Sequence, residues 1–397
     1  MTENYIDDVI SEVQTLEECL KRGIDSDFPR LVRENDSYWK RYSDLKAEFK
    51  DYSVEMGAME SSIEKWMQSA SEKMKEINKI RSRREREYEI AKLFEQDPII
   101  YLNKHGESHI MDVQRHALGL LEHFRNCNMS FYELYILMCA IVVHDIGNIH
   151  GREGHEQDIE KILSQKEKLY LIPDANERRT ICRIARTHGG TYNGSKDTIS
   201  ALREVNSLNG FEVRERLLAA ILRFSDELAD DYTRAASDAI KSGIVNGESR
   251  IYHCYSESLH TVQIMKHGNA KDSKHLEHSN YYEVCLYYSF NAGLAYEKFD
   301  KLGNQVYLID EIYDRTIKME RERRYCMRFM RMYIPLERIC VNIDINDEEN
   351  SLKTKNITYE LEERGYPPVI YKTKEDIGKK LESGSELEEI LKNEGYK

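Results

Sequence analysis

Proline is scarce in this chain, at 6 of 397 residues, and glycine is modest at 20. That excludes a collagen-like or largely disordered polypeptide. No apolar run approaches the ~18 residues that a membrane span needs, so no membrane association is expected. The opening segment, MTENYIDDVISEVQ, lacks the basic-then-apolar layout of a secretory signal. The eight cysteines, scattered from Cys19 to Cys340, contain no CxxC pair. They read as a reduced, cytoplasmic set rather than a disulfide framework or a zinc ribbon. Positive charge is outnumbered: 58 Lys and Arg stand against 71 Asp and Glu, a net charge of −13. An acidic chain is a poor bulk nucleic-acid binder, because that binding draws on phosphate neutralisation. Histidine is absent from the first 104 residues and the last 119; all 13 lie between His105 and His278. Imidazole is the commonest metal ligand and the usual acid or base near neutrality. Any chemistry is therefore expected in the middle of the chain.

The fold class expected is mainly α, in three regions: 1–97, 98–245 and 246–397. Residues 1–97 read as a long-helix or coiled-coil region. Leu45, Phe49, Tyr52, Met56, Met59, Ile63, Trp66 and Ala70 alternate steps of four and three, an a/d seam. Two readings stay open for it: a dimerising coiled coil, giving a homo-oligomer or a protein-partner surface, or one long helix packed on its own domain. Asp97-Pro98 marks a boundary. The middle region then carries helical patterns at 111–124, 131–148, 177–190 and 214–236. YILMCAIVV at 135–143 is apolar all round and should be central. After about 245 the pattern turns to strands, expected at 250–266, 281–290, 337–345 and near 357–363. A charged helix is expected at 305–332 and a polar or loose tail from Lys372. The last region is thus an α+β extension.

His144 and Asp145 stand adjacent at the tip of the apolar 131–143 helix. An ionisable pair there is costly unless it is partnered or bound to metal. His116 precedes it on another amphipathic helix, and Asp226 follows the apolar LLAAILRF stretch. Helices can bring these two imidazoles and two carboxylates to one point. A mixed nitrogen and oxygen set suits Mn, Fe, Co, Ni or Zn, and Mg less well. A divalent cation can hold a phosphate oxygen and acidify a water.

The pattern His116, His144-Asp145, Asp226 resembles the H…HD…D signature of the HD superfamily of metal-dependent phosphohydrolases, over roughly residues 100–240. The resemblance implies an all-helical HD domain in which His116, His144, Asp145 and Asp226 hold one or two divalent ions. It also implies that His150, His155 and His188 serve catalysis or a second metal. HDIGNIHGREGHE is similar to the run that follows the HD of deoxynucleoside triphosphate triphosphohydrolases, with Asn148 standing where one histidine of that run falls. Together with ILRFSDELADD, it also looks like a bacterial HD subgroup found beside Hsp90-type ATPase modules.

Arg152 and Arg186 are candidates for phosphate, since a guanidinium donates bidentately. Asp230, one turn past Asp226, is a candidate for a substrate hydroxyl. The cluster Arg321, Arg323, Arg324, Arg328 and Arg331 reads either as a nucleotide or regulator site, or as a solvated face paired with Glu320 and Glu322. The expected activity is nucleotide hydrolysis, with deoxynucleoside triphosphates first. The alternatives are a phosphodiesterase for cyclic or oligonucleotide messengers, and a nucleotide-sensing module that acts through a protein partner.

Overall fold

The computed structural model describes residues 35, 37–48, 79, 107–122, 129–150, 154–230, 250–267, 281–301, 303–350, 352–362, 371–373 and 383–396. The proposed seam from Phe49 to Ala70 and the loop histidines His275 and His278 lie outside these residues. A helix at 37–48 is described, and it buries Tyr42 and Leu45.

The middle region is built on helices α1 (Glu107–Glu122), α2 (Phe131–Val143), α3 (His155–Leu163), α4 (Ala175–Arg186) and α5 (Glu215–Leu228). Ser130 caps α2: its hydroxyl accepts from the Glu133 N–H, and Glu133 accepts from the Ser130 N–H, a reciprocal capping box. Every residue of α2 after Phe131 is buried, as a helix apolar on every face beyond its first turn requires. The stretch Phe131–Asn148 is long and apolar enough to cross a membrane, yet 89% of it is buried inside the fold, the mark of a core helix. Between α4 and α5 lies a hairpin that the sequence reading did not foresee, β1 (Asn206–Leu208) and β2 (Phe211–Val213). Its turn residues, Asn209 and Gly210, both have positive φ, the type I′ preference of Asn-Gly.

The remainder is α+β. Helix α6 (Arg250–Ser258) runs into β3 (Leu259–His267), followed by β4 (Tyr281–Asn291), α7 (Ala292–Tyr296), β5 (Lys298–Lys301) and β6 (Asn304–Tyr307). Then come α8 (Leu308–Met330), β7 (Leu336–Asn346), β8 (Thr354–Glu362), β9 (Tyr371–Thr373) and α9 (Gly384–Asn393). The strand expected at 250–266 is corrected in its first half. Ile251, Cys254, Tyr255 and Ser258 are buried at helical spacing, and that face overrides the strand preference of its tyrosines. A five-stranded sheet runs β3-β4-β7-β8-β9, antiparallel except for the parallel β4–β7 pair. One sheet face, with Val284, Leu286, Tyr288, Ile339, Val341, Ile343 and Tyr359, is buried. Helix α8 packs on this sheet and on α5. Thr316 of α8 meets the Tyr359 hydroxyl at 2.8 Å.

The basic cluster of α8 is divided among structural tasks. Arg323 is buried and doubly paired with Glu320 at 2.6 Å, and it also donates to the Leu336 carbonyl. Arg328 reaches Asp197 at 3.3 Å, and Arg331 approaches Glu337 at 3.8 Å.

Candidate metal centre

Helices α2, α4 and α5 place their C-terminal ends at one point. His144 is the C-cap of α2. His188 follows Thr187, the C-cap of α4. Asp226 lies in the last turn of α5. Helix C-termini carry partial negative charge and favour cations. The N-terminal turn of α1 adds His109, and the first residue of α3 adds His155.

Six side chains meet there in two groups. His109, His144 and Asp226 form one, and Asp145, His155 and His188 the other; within each, the donor atoms lie within 4.8 Å of one another. His109 Nε2 is 3.1 Å from Asp226 Oδ1, and His144 Nε2 is 3.6 Å from the same oxygen. Asp145 belongs to both groups. Its Oδ2 faces His109 Nε2 at 3.6 Å and His144 Nε2 at 3.5 Å. Its Oδ1 faces His155 Nε2 at 3.3 Å and His188 Nε2 at 3.5 Å.

Hydrogen bonds to the backbone fix which nitrogens face inward. The Nδ1–H of His144 donates to the Ile141 carbonyl at 2.7 Å, and that of His188 to the Ala185 carbonyl at 2.6 Å. That contact leaves Nε2 facing inward, where it carries a proton or, in the neutral imidazole, a lone pair free for a cation. Metal-bound histidines use the same outer contact. His155 turns Nδ1 to Glu156 at 3.5 Å, leaving its Nε2 3.1 Å from His188 Nε2. Lone pairs and carboxylate oxygens that face one another repel unless a proton or a cation lies between them. Ligand bonds of about 2.1 Å space neighbouring donors roughly 3.0–3.5 Å apart, close to the separations seen here. The donor set therefore fits one or two divalent cations.

The electrostatics agree. Burial opposes charge on His144, but Asp145 and Asp226 outweigh it and push the imidazole up to about 9. A field that favours a proton there favours a cation equally. Burial likewise opposes ionisation of Asp226, yet hydrogen bonds from His109 and His144 hold it well below the usual carboxylate range.

Local backbone geometry sets the second group. Gly147 lies in the tight turn after His144-Asp145, where a Cβ would overlap the backbone carbonyl of His155. Gly190 has φ +66° and packs on the Glu156 carboxylate, so the turn after His188 is closed by a residue without a side chain. Arg223, one turn before Asp226, donates to the Thr187 carbonyl at 3.3 Å, the Lys196 carbonyl at 3.2 Å and Thr198 Oγ1 at 3.0 Å. Its other nitrogens pair with Glu322 of α8 at 2.8 and 3.0 Å. It thereby ties the segment around His188 to α8.

Of the residues expected from the sequence, the structure brings His144, Asp145, Asp226, His155 and His188 together. His116 is not among them. It is buried two turns further along α1, and its Nε2 has no hydrogen-bond partner among the described residues. His109, missed from the sequence, stands in its place. The His150 side chain and Arg152 lie outside the described residues. Arg186 is exposed in the last turn of α4, and no hydrogen bond or ion pair ties it to the cluster among the described residues. Asp230 is turned to Arg315 at 2.6 Å and to Ser256 at 3.5 Å, so an ion pair with α8 takes the place of an open carboxylate.

Comparison with curated proteins gives no match, and comparison with solved structures gives none. The family model HD-CE matches residues 89–301, which contain all six converging side chains and more than half of the chain. An HD dipeptide set where helix C-termini meet, with that match around it, makes this chain a member of the HD-CE family.

Proposed function

We propose that the chain is a metal-dependent phosphohydrolase acting on a nucleotide, with deoxynucleoside triphosphates as the first substrates to consider. One observation carries the reading: Asp145 presents each of its carboxylate oxygens to a different pair of imidazoles. His109, His144, Asp226 and Asp145 Oδ2 would hold one divalent ion, and His155, His188 and Asp145 Oδ1 a second. A divalent ion bound there supplies Lewis acidity, polarising a phosphoryl oxygen and lowering the pKa of a water.

The protein's own contribution is orientation. The Ile141 and Ala185 carbonyls keep His144 and His188 in the tautomer that points Nε2 inward. Glu156 orients His155. Burial by the apolar α2 limits water around the acids, so their field acts at low dielectric. The 3.1 Å contact between His155 Nε2 and His188 Nε2 favours a second reading. In it only the first group binds an ion, and the two imidazoles share a proton that passes to the leaving oxygen.

The test is to purify the chain with Mn²⁺, count bound metal, and assay deoxynucleoside and ribonucleoside triphosphates, cyclic nucleotides and oligonucleotides. Turnover of one class, lost in Asp145→Ala, is expected. Two ions per chain support the first reading and one supports the second. Full metal occupancy with no turnover of any of these substrates would reject the enzyme in favour of a nucleotide-sensing module.

A further inference from the structure

A third cluster lies on the sheet, away from the helix ends. Glu283 and Cys285 are two apart on β4 and so share a face. Cys340 of β7 is the direct register partner of Cys285 across the parallel pair. Val284, Leu286, Ile339 and Val341 alternate with them and point to the hydrophobic core, so this cluster occupies the opposite face. It is nonetheless buried: Glu283 is 4% exposed, Cys285 3% and Cys340 8%. The three donor atoms lie within 4.8 Å of one another, with Cys285 Sγ 3.4 Å from Glu283 Oε1.

The surroundings have the form of an outer shell. Arg338 donates to the other oxygen of Glu283 at 2.6 Å and to Glu360 at 3.1 Å. That fixes the carboxylate with Oε1 toward the sulfurs. Asn342 Nδ2 approaches Cys340 Sγ at 3.8 Å. Ligating carboxylates are commonly held by such partners. Two thiolates and one carboxylate would carry three negative charges, offset by two on a divalent cation and in part by Arg338, which Glu360 shares. Contact with Cys340 and burial push the Cys285 thiol far up, so it keeps its proton until something displaces it.

We propose that Cys285, Cys340 and Glu283 form a binding site for a thiophilic divalent cation of the zinc class, separate from the HD centre. Sulfur ligands select such ions over Mg²⁺ or Ca²⁺. Two thiol protons leave as two metal–sulfur bonds form, with no change of oxidation state. Tetrahedral zinc with Zn–S of about 2.3 Å and Zn–O of about 2.1 Å spaces sulfur from oxygen by roughly 3.6 Å. The observed 3.4 Å needs little adjustment. Three protein donors leave a fourth position for water or another donor. The ion would fasten β4 to β7, the one parallel pair of the sheet.

Co²⁺ is the probe. The HD centre offers only nitrogen and oxygen, so a thiolate-to-cobalt charge-transfer band cannot come from it, and the serine variants separate this site from the other cysteines. The full chain titrated with Co²⁺ is expected to develop that band and to lose it on adding Zn²⁺. Cys285→Ser and Cys340→Ser should each abolish it, His109→Ala should retain it, and Arg338→Gln should weaken Co²⁺ affinity about 10- to 100-fold. Absence of the band in the unmodified chain would overturn the proposal without recourse to any variant. So would a band that survives in both serine variants.

Discussion

The two ends of the α2–α4–α5 bundle handle buried charge in opposite ways. At the N-terminal end, Glu133, Glu177 and Glu215 are buried in the first turns of the three helices, where the helix dipoles favour acids. Each is answered. Glu133 takes Arg214 at 2.7 and 2.8 Å. Glu177 takes the Tyr132 and Tyr135 hydroxyls at 2.7 and 3.1 Å and Arg41 at 3.2 Å. Glu215 takes Arg183 at 2.6 Å and Asn206 at 2.9 Å on Oε1, while its buried Oε2 has no hydrogen-bond partner among the described residues. At the C-terminal end, Asp145 and Asp226 face only the Nε2 atoms of four imidazoles, His109, His144, His155 and His188. Buried acids serve the fold where cations and hydroxyls close the account; where facing donors leave room between them, they serve a ligand.

The contrast can be broken or sharpened by mutation. The largest effect is expected for Asp145→Ala, which removes oxygens from both groups: activity should fall to background and bound metal should be lost. Apo-protein stability should fall near neutral pH, because Asp145 is the largest influence favouring the proton on buried His144. Elemental analysis and thermal melts would check this. Next comes the pair His109→Ala and His116→Gln. The first should lose most of its metal and the second should keep it; metal loss in His116→Gln alone would reverse the assignment made here. Third, Glu177→Ala should leave metal content unchanged yet cost about 2–4 kcal/mol in denaturant unfolding, since it strands two buried hydroxyls and a cation.

A pH effect follows in size. Burial, with Arg115 and His109 nearby, pushes His116 down to about 3. Its folded pKa lies below its unfolded value of about 6.5, so the unfolded chain binds the extra proton. Stability should be full above pH ~6.5 and decline as pH falls toward 3. His116→Gln should flatten that part of the acid slope relative to the unmodified chain. The smallest effect is expected for Arg328→Ala at the exposed Asp197 pair, within about 0.5 kcal/mol.

Much of this was legible in the sequence. The apolar run 131–143, the HD that ends it and the later Asp226 follow from periodicity and from the cost of charge at the tip of a core helix. The choice between His109 and His116 did not follow from periodicity. They are seven residues apart, nearly in phase on the helix, and separated by about 10 Å along its axis. The deciding signal was the short connection from α1 to α2. His109 lies 13 residues before Glu122, the end of α1, and His144 lies 13 residues beyond Phe131, the start of α2, so two helices running antiparallel set these histidines level. The helix at 250–258 was hidden because tyrosine-rich segments suit strands locally, and only the packing of Cys254 and Tyr255 decides. The Cys285–Cys340 pairing depends on sheet register across 55 positions, which no local pattern encodes.

The Arg223 bridge bears on where this chain can be cut. The family match ends at residue 301, while Glu322 lies on α8, which begins at Leu308. A fragment trimmed to the matched boundary would leave a guanidinium that is only 6% exposed facing the space its carboxylate had filled. The segment that carries His188 would lose its tether at the same stroke. A fragment that keeps this ion pair therefore extends past residue 301 to Glu322 of α8, beyond the boundary drawn by sequence likeness.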